Sequence, residues 1–406
     1  EAGSRGCEEA VWRSQLSGAV PLPCDGVIGV DENRLSDASA VSGQLDAVST
    51  GGLVRSGLVY HGGIDDVFLA ALGLSLGEWS RSRYGHDLGD PVIALEGHGR
   101  EGEVDVGRTL GWFTSVFPVR LEVGDLVGCA GSELGRAIMR VKECLRALPD
   151  KGLGYGILRY LDEASGLSDP GLFSPEVVFN YLGRFDHEGV GSGGWRFEGT
   201  EFVASGDDPL RRRLHLLEIN ALIDSDGALR FSIGYCQLAH CQDAIADLAR
   251  RFEAQLVGLI DHCLEAPLSY CHTPSDYPLA RIDQAGLEAL SDRYPDLEDL
   301  VPLTGLQEGL VFESTALAEG MADPYHVQLV VHLEGSLDVA ALGRAWAGLI
   351  SRHEVLRLVV APPSVAAGHG VIRGSAVSGF MVKPPADVAD IDDAVELLQS
   401  ADRAAG

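Results

Sequence analysis

The tightest constraint on the fold lies past the middle of the chain. Two alternating runs, Leu216 to Ile223 and Leu229 to Tyr235, flank Asp224-Ser225-Asp226-Gly227. Alternation at period two marks strands with one buried face, and a short Asp/Gly turn between two such runs predicts a β-hairpin. A long amphipathic helix is expected next, carrying Ile245, Leu248, Phe252, Leu256, Leu259 and Cys263 inward. A sheet face and a helix stripe that are both apolar must cover one another, which calls for layers of α and β.

The rest of the chain repeats that alternation. A helix is predicted from Ile64, with Phe68, Leu72, Leu76 and Trp79 on one face; Val116 to Val123 reads as a strand. A second helix begins at about Ser132, buries Leu134, Ile138, Val141, Leu145 and Leu148, and stops at Pro149. Pro175 to Arg184 is a β-rich run. The expected class is therefore α/β, with mixed sheets and flanking helices. Residues 1 to about 30 read as a connector, and Lys151 to Gly156 as a glycine-rich turn leading into Ile157 to Leu161. Pro267, Pro274 and Pro278 mark a domain boundary. Beyond it, Tyr325 to Leu333 reads as a strand. Asp338 caps a helix bearing Leu342, Trp346, Leu349 and Ile350, a Val-rich strand follows, and the tail from about Asp387 reads as a helix.

Three motif matches dissolve in their context. Gly73-Leu74-Ser75-Leu76-Gly77 fits the nucleophile elbow G-x-S-x-G, but it lies inside an amphipathic helix where that motif needs a strand-to-helix turn. Gly189 to Gly194 fits G-x-G-x-x-G, yet Trp195-Arg196-Phe197 follows in place of a helix pattern. Cys236, His240, Cys241, His262, Cys263, Cys271 and His272 contain no C-x-x-C, so reduced, mostly buried thiols and no metal are expected.

Charge narrows the partners. A formal net charge of −29 over 406 residues disfavours nucleic acid and anionic membranes. No stretch approaches the roughly 18 apolar residues of a spanning helix, and the first residues lack the layout of a signal peptide. A cytoplasmic chain is expected.

The most chemically loaded stretch is Ile93 to Thr114. A short apolar run delivers Glu96 into a turn in which Gly97 and Gly99 alternate with His98 and Arg100. An acid, an imidazole and a guanidinium within five positions suit proton transfer beside a developing negative charge. The plain alternative is a polar turn with Glu96 and Arg100 as a surface ion pair, and the local sequence alone favours it.

Taken in order, these pieces resemble the epimerization and condensation domains of nonribosomal peptide synthetases. Asp65-Asp-Val-Phe-Leu-Ala-Ala-Leu-Gly73 resembles the epimerization helix motif, and Glu96-Gly-His-Gly-Arg-Glu101 the family's most distinctive signature. Arg108-Thr-Leu-Gly-Trp-Phe-Thr114, Gly152-Leu-Gly-Tyr-Gly156 and Phe179-Asn-Tyr-Leu-Gly-Arg-Phe-Asp186 follow in the family's order. Pro302 to Leu310 and Arg352-His-Glu-Val-Leu-Arg357 resemble the first two motifs of a condensation domain. The resemblance implies chloramphenicol-acetyltransferase-like lobes. It divides the chain into 1–268, mainly the second lobe of an epimerization domain; 269–300, a linker; and 301–406, the start of a condensation domain. The superfamily's catalytic motif, two histidines, three variable residues, then Asp-Gly, is expected before residue 1 and just after Gly406; no adjacent His-His pair occurs in the chain.

The implied activity, in antibiotic and other secondary-metabolite biosynthesis, is inversion of Cα in an aminoacyl or peptidyl thioester, followed by condensation. The partners are peptidyl carrier domains and neighbouring modules. The chain itself binds no cofactor, and the 4′-phosphopantetheine arm comes from a carrier domain. Glu96 and Tyr181 are the implied catalytic residues; His98, Arg100, Trp112 and Asn180 are the implied substrate-binding ones. Trp112 and Phe113 are expected to bury Glu96 and raise its pKa. For Asn180 and Tyr181 a satisfied polar group in a buried strand remains an even alternative, and His98 and Arg100 read as shaping the loop. Arg352, His353 and Arg357 are expected to be structural. A non-catalytic lobe pair that docks carriers is the other reading, and the isolated chain is expected to be inactive.

Overall fold

The computed structural model describes residues 6–29, 31–100, 105–169, 171–185, 208–265, 272–316, 325, 327, 329–331, 333–376, 379–382, 395 and 400. The chain divides into two compact units, Glu1–His272 and Thr273–Gly406.

In the first unit the elements are α1 (Gly6–Leu16), β1 (Ala38–Leu45), α2 (Ala47–Val59), α3 (Ile64–Tyr84), β2 (Val92–Gly97) and β3 (Ser115–Arg120). These are followed by α4 (Glu133–Arg146), α5 (Leu153–Tyr160), β4 (Val177–Arg184), β5 (Leu217–Ile223), β6 (Leu229–Cys236) and α6 (Gln242–Glu265). The strands form one six-stranded sheet in the order β1-β6-β5-β4-β2-β3. β4 runs parallel to β2 and β5, and the other pairs are antiparallel, so the sheet is mixed as expected. The hairpin closes with Ile223 opposite Leu229. Leu217, Ile219, Ala221 and Ile223 are buried while Glu218, Asn220 and Leu222 alternate outward.

The buried face packs on α3 and α6. Phe68, Leu72, Leu76 and Trp79 of α3, and Ile245, Leu248, Phe252, Leu256 and Leu259 of α6, are wholly enclosed. The G-x-S-x-G match is a packing device. Cβ atoms on Gly73 and Gly77 would come within 2.7 Å of Val123 and 2.5 Å of Val127, and the Ser75 hydroxyl donates to the Ala71 carbonyl at 2.6 Å. Small residues let helix and chain approach closely, and a buried hydroxyl bonded one turn back is no nucleophile.

Several elements depart from expectation. The amino-terminal stretch is not a connector throughout: α1 drives Trp12 fully into the core, 5.4 Å from the Tyr155 ring and 6.1 Å from Phe117. A single large aromatic supplies enough apolar area to dock a helix that shows little periodicity. β1 and α2 carry no strong periodic pattern; β1 is an edge strand, specified by its pairing with β6. The glycine-rich run after Lys151 turns at Gly152 and then enters α5. The Gly189–Gly194 match lies outside the described residues, as do Glu101, Asp186 and Cys271.

The second unit comprises α7 (Gln284–Arg293), β7 (Leu297–Pro302), α8 (Gly305–Ala316), α9 (Val339–Arg352), β8 (Leu358–Val360), α10 (Pro363–Ala366) and β9 (His369–Arg373), with the sheet order β7-β9-β8. Asp338 caps α9 by accepting from the Ala341 N–H at 3.0 Å. Arg357 is buried and donates to Glu298 and to the Arg373 carbonyl, so it ties this sheet together. The span 269–300, expected as a linker, contributes Tyr277, Ala280, Leu287, Leu290 and Leu300 to this unit's core. Of the expected strand at 325–333, the described residues pair into no ladder. Alternation alone makes no strand without a neighbour to accept its backbone hydrogen bonds. The predicted helix of the tail lies almost wholly outside the described residues.

If α1 is an integral part of the first unit, Trp12→Ala should cost about 3–5 kcal/mol in urea unfolding, in line with loss of a fully buried Trp. Val27→Ala, at a fully exposed position, should change nothing. A Trp12→Ala loss below about 1 kcal/mol would contradict the packing described above.

Candidate functional site

The sheet face away from α3 and α6 carries the candidate site. Ala94 pairs with Val178 and Leu95 with Phe179, so Glu96 falls beside Asn180. Asn180 pairs with Asn220, Asn220 with Ser232, and Ser232 with Ser42. Glu96, Asn180, Asn220, Ser232 and Ser42 thus form one polar row across five strands. At the Glu96 end this face opens into a cleft of about 1300 Å³, whose walls include Trp112, Phe113, Asn180, His215, Glu218 and Asn220.

Glu96 is half-buried, and its carboxylate accepts no hydrogen bond among the described residues. Burial raises its pKa, and the Glu218 carboxylate in the same cleft adds to the rise. Glu218 is itself pinned: the buried Arg213 guanidinium donates to its Oε1 at 3.2 Å. An acid held partly out of water without a partner, beside a second carboxylate, binds its proton more tightly than an exposed glutamate does.

The turn after Glu96 is built for shape. Gly99 has φ +63°, and a Cβ there would collide with the Phe113 carbonyl at 1.6 Å. Arg100 donates to the carbonyls of Val106 at 2.6 Å, Thr109 at 2.9 Å and Gly111 at 3.2 Å, and its guanidinium lies 4.4 Å from the Phe113 ring centre. The surface ion pair with Glu96 is absent among the described contacts, because loop carbonyls take up the guanidinium. Arg100 therefore folds the loop and does not reach into the cleft.

The other expected site residues separate into two groups. Asn180 and Trp112 share the cleft with Glu96. Trp112 is 91% exposed, so it stands at the mouth of the cleft and not packed over Glu96 as expected. Tyr181 points to the opposite face, where its ring packs 5.2 Å from Phe68. Successive strand residues face opposite sides, so Asn180 and Tyr181 cannot both flank Glu96. Burial, and then nearby Asp65, raise the Tyr181 pKa. Asp65 lies in the first turn of α3 and is exposed. Burial and the Asp66 carboxylate push its pKa up, while His98 and Arg146 oppose the rise. His98 is exposed and belongs with Asp65 rather than with the cleft.

Three cleft residues escaped the sequence reading. Glu218 and Asn220 are the outward positions of β5; their alternation was visible, but not that β5 lies two strands from β2. His215 precedes β5 and bears no motif. Among the described residues no three His, Cys, Asp or Glu side chains gather as a metal site, and no helix is long and apolar enough to cross a membrane.

The first unit is thus a mixed sheet packed on α3 and α6, with an unpartnered acid in a cleft on the other face. The chain matches the condensation-domain family over residues 6–277 and belongs to it. A linear gramicidin synthase of Brevibacillus parabrevis is 35% identical over 375 residues, covering 90% of this chain and 5% of that protein. Tyrocidine synthase 2 of the same species is 38% identical over 279 residues, covering 66% of this chain and 7% of that protein. Among solved structures, the epimerization domain from the third module of tyrocidine synthetase B superposes with a TM-score of 0.55 at 35% identity, covering 64% of this chain and 56% of that one. The chain is thus a condensation- or epimerization-type part of a nonribosomal peptide synthetase, and it spans about 5–7% of these two synthases' length.

The raised pKa of Glu96 has a consequence for stability. Its ionised form is penalised in the fold and not in the unfolded chain, so it subtracts stability as pH rises through the folded-state value. Glu96→Gln is expected to leave the Tm at pH 7 equal to or above the parent's, with any advantage vanishing below about pH 4, where the carboxyl is protonated in both states. Thermal unfolding followed by circular dichroism across that range tests this; a Gln variant less stable at pH 7 would count against it.

Proposed function

We propose that the first unit belongs to an epimerization domain, in which Glu96 moves the proton at Cα of an aminoacyl or peptidyl thioester presented on a carrier domain's 4′-phosphopantetheine arm. The observation that carries this is the unpartnered, half-buried Glu96 carboxyl in the open-face cleft. The Glu96-Gly-His-Gly-Arg signature and the likeness to a solved epimerization domain support the epimerization reading over condensation.

A thioester carbonyl acidifies the Cα proton, but its removal leaves an enolate. Inversion then needs a base on one face of Cα, an acid on the other, and hydrogen-bond donors near the oxygen. Glu96 fills one acid/base role. Asn180 and Asn220, next to it in the polar row, each carry an amide NH₂ that suits the enolate oxygen. The opposite acid/base group is the second histidine of the His-His-x-x-x-Asp-Gly motif, which this chain lacks. The second unit, with Arg352-His353-Glu354 ending α9, is read as the start of a condensation domain that would accept the inverted donor. Neighbouring modules and carrier domains are the partners, in a cytoplasmic assembly.

Proton–deuterium exchange at Cα of a carrier-loaded aminoacyl thioester tests the reading. A protein carrying this chain together with the His-His-x-x-x-Asp-Gly lobe should exchange, and Glu96→Gln should slow it about 10²–10⁴-fold. The chain alone should show negligible exchange. Undiminished exchange in the Gln variant would favour a non-catalytic, carrier-docking role for this lobe.

A further inference from the structure

His215 belongs to none of the motifs that carry the family resemblance, yet the fold holds it with unusual care. Its segment is tied down on both sides. The Arg213 N–H donates to the Asn33 carbonyl at 2.7 Å, and the Asn33 side-chain amide donates to the carbonyls of Arg213 at 3.2 Å and His215 at 2.8 Å. The Leu216 N–H donates to the Glu176 carbonyl at 2.8 Å. The ring is fixed as well: Nδ1 lies 2.7 Å from the Pro175 carbonyl oxygen. A carbonyl only accepts, so Nδ1 carries the proton and the other nitrogen of the neutral ring, Nε2, presents a lone pair.

That lone pair is available. Nε2 has no partner among the described residues, is not among the atoms sealed from solvent, and belongs to a ring that lines the Glu96 cleft. Burial lowers the His215 pKa and the Arg213 charge works the same way, while the Pro175 hydrogen bond and Glu218 oppose; the ring stays neutral at physiological pH. Glu218, three residues on and in the same cleft, has one carboxylate oxygen held by Arg213 and the second without a partner among the described residues. This wall of the cleft therefore offers acceptors, while the polar row beside Glu96 offers the amide donors of Asn180 and Asn220.

We propose that His215 Nε2, seconded by Glu218, accepts a hydrogen bond from the nitrogen on Cα of the bound acyl group, and so selects acyl groups that carry an N–H there and fixes Cα against Glu96. This rests on the reading of the cleft as the site of an aminoacyl or peptidyl thioester, and it assigns His215 a specificity role, not proton transfer. An acyl group without that nitrogen leaves the acceptor unpaired, a loss of about one hydrogen bond, or about tenfold in affinity.

The test uses this chain and two probes: a leucyl group joined to pantetheine by a hydrolysis-resistant amide, and the 4-methylpentanoyl counterpart that lacks the amine. Calorimetric titration should show the leucyl probe binding about tenfold more tightly. Two substitutions separate recognition from scaffolding. His215→Asn keeps a donor for the Pro175 carbonyl but stops short of the cleft, and should erase the preference. His215→Gln places an amide oxygen near the Nε2 position and gives up the Pro175 bond, and should keep it. A purely structural histidine would behave in reverse, with Asn tolerated and Gln not. Equal affinities in the parent chain, no binding of either probe at millimolar concentration, or a preference that survives His215→Asn would overturn the proposal. Loss of exchange in Glu96→Gln and loss of the leucyl preference in His215→Asn are different readouts, so failure of the Glu96 role and failure of the His215 role are read separately.

Discussion

The structure of the first unit turns on the register of β2 between β3 and β4. With Leu95 opposite Phe117 and beside Phe179, Phe179 meets Phe68 of α3 and Phe117 meets Trp12 of α1, while Glu96 and Asn180 face the open side. A slip of one residue would exchange the faces, driving Glu96 toward Phe68 and exposing Ile93. That slip is prohibited by the close approach on the helix side, where Phe68 contacts both Phe179 and Tyr181 and glycines in α3 admit Val123 and Val127. The chemistry on one face of the sheet is thus held in place by packing on the other.

That arrangement explains why an acid can be left without a partner. Most buried polar groups in this unit are satisfied: Asn33 bonds two carbonyls, Thr50 bonds back to Asp46, and Trp79 donates to Ala244. Glu96, half-buried in the cleft, and the buried Ser115 hydroxyl on the same wall are left without partners among the described residues, and the strand pairing around them absorbs the penalty. The loop that follows is stiffened in the same spirit. Arg100 gathers three carbonyls and stacks on Phe113, a use of guanidinium geometry that lysine would not reproduce. Arg100 thus shapes the loop, as its sequence context suggested.

Much of the fold was legible from periodicity. The hairpin around Asp224–Gly227, the buried stripes of α3, α4 and α6, and the Asp338 cap of α9 are local patterns that the chain satisfies locally. Where local pattern was weak, tertiary contact decided. Trp12 makes a core helix out of an apparent connector, residues 277–300 fold into the second unit's core, and the alternation of 325–333 finds no ladder among its described residues. For the site, Glu96 stood out because an acid, two glycines and two basic residues crowd one turn. Glu218 and His215 did not, since nothing near them in sequence shows which strand they face.

The amino-acid sequence by itself determined the class of the chain, its family and the identity of the acid at its centre, because motif order and residue type are properties of the string. Only the tertiary structure decided which residues share a space with that acid. Asn180 joins Glu96 and Tyr181 leaves it, although they are neighbours in sequence, because adjacent residues of a strand point to opposite faces. Glu218 and His215 enter from far along the chain because β5 runs beside β4, and strand order is set by how helices and sheet bury their apolar faces together.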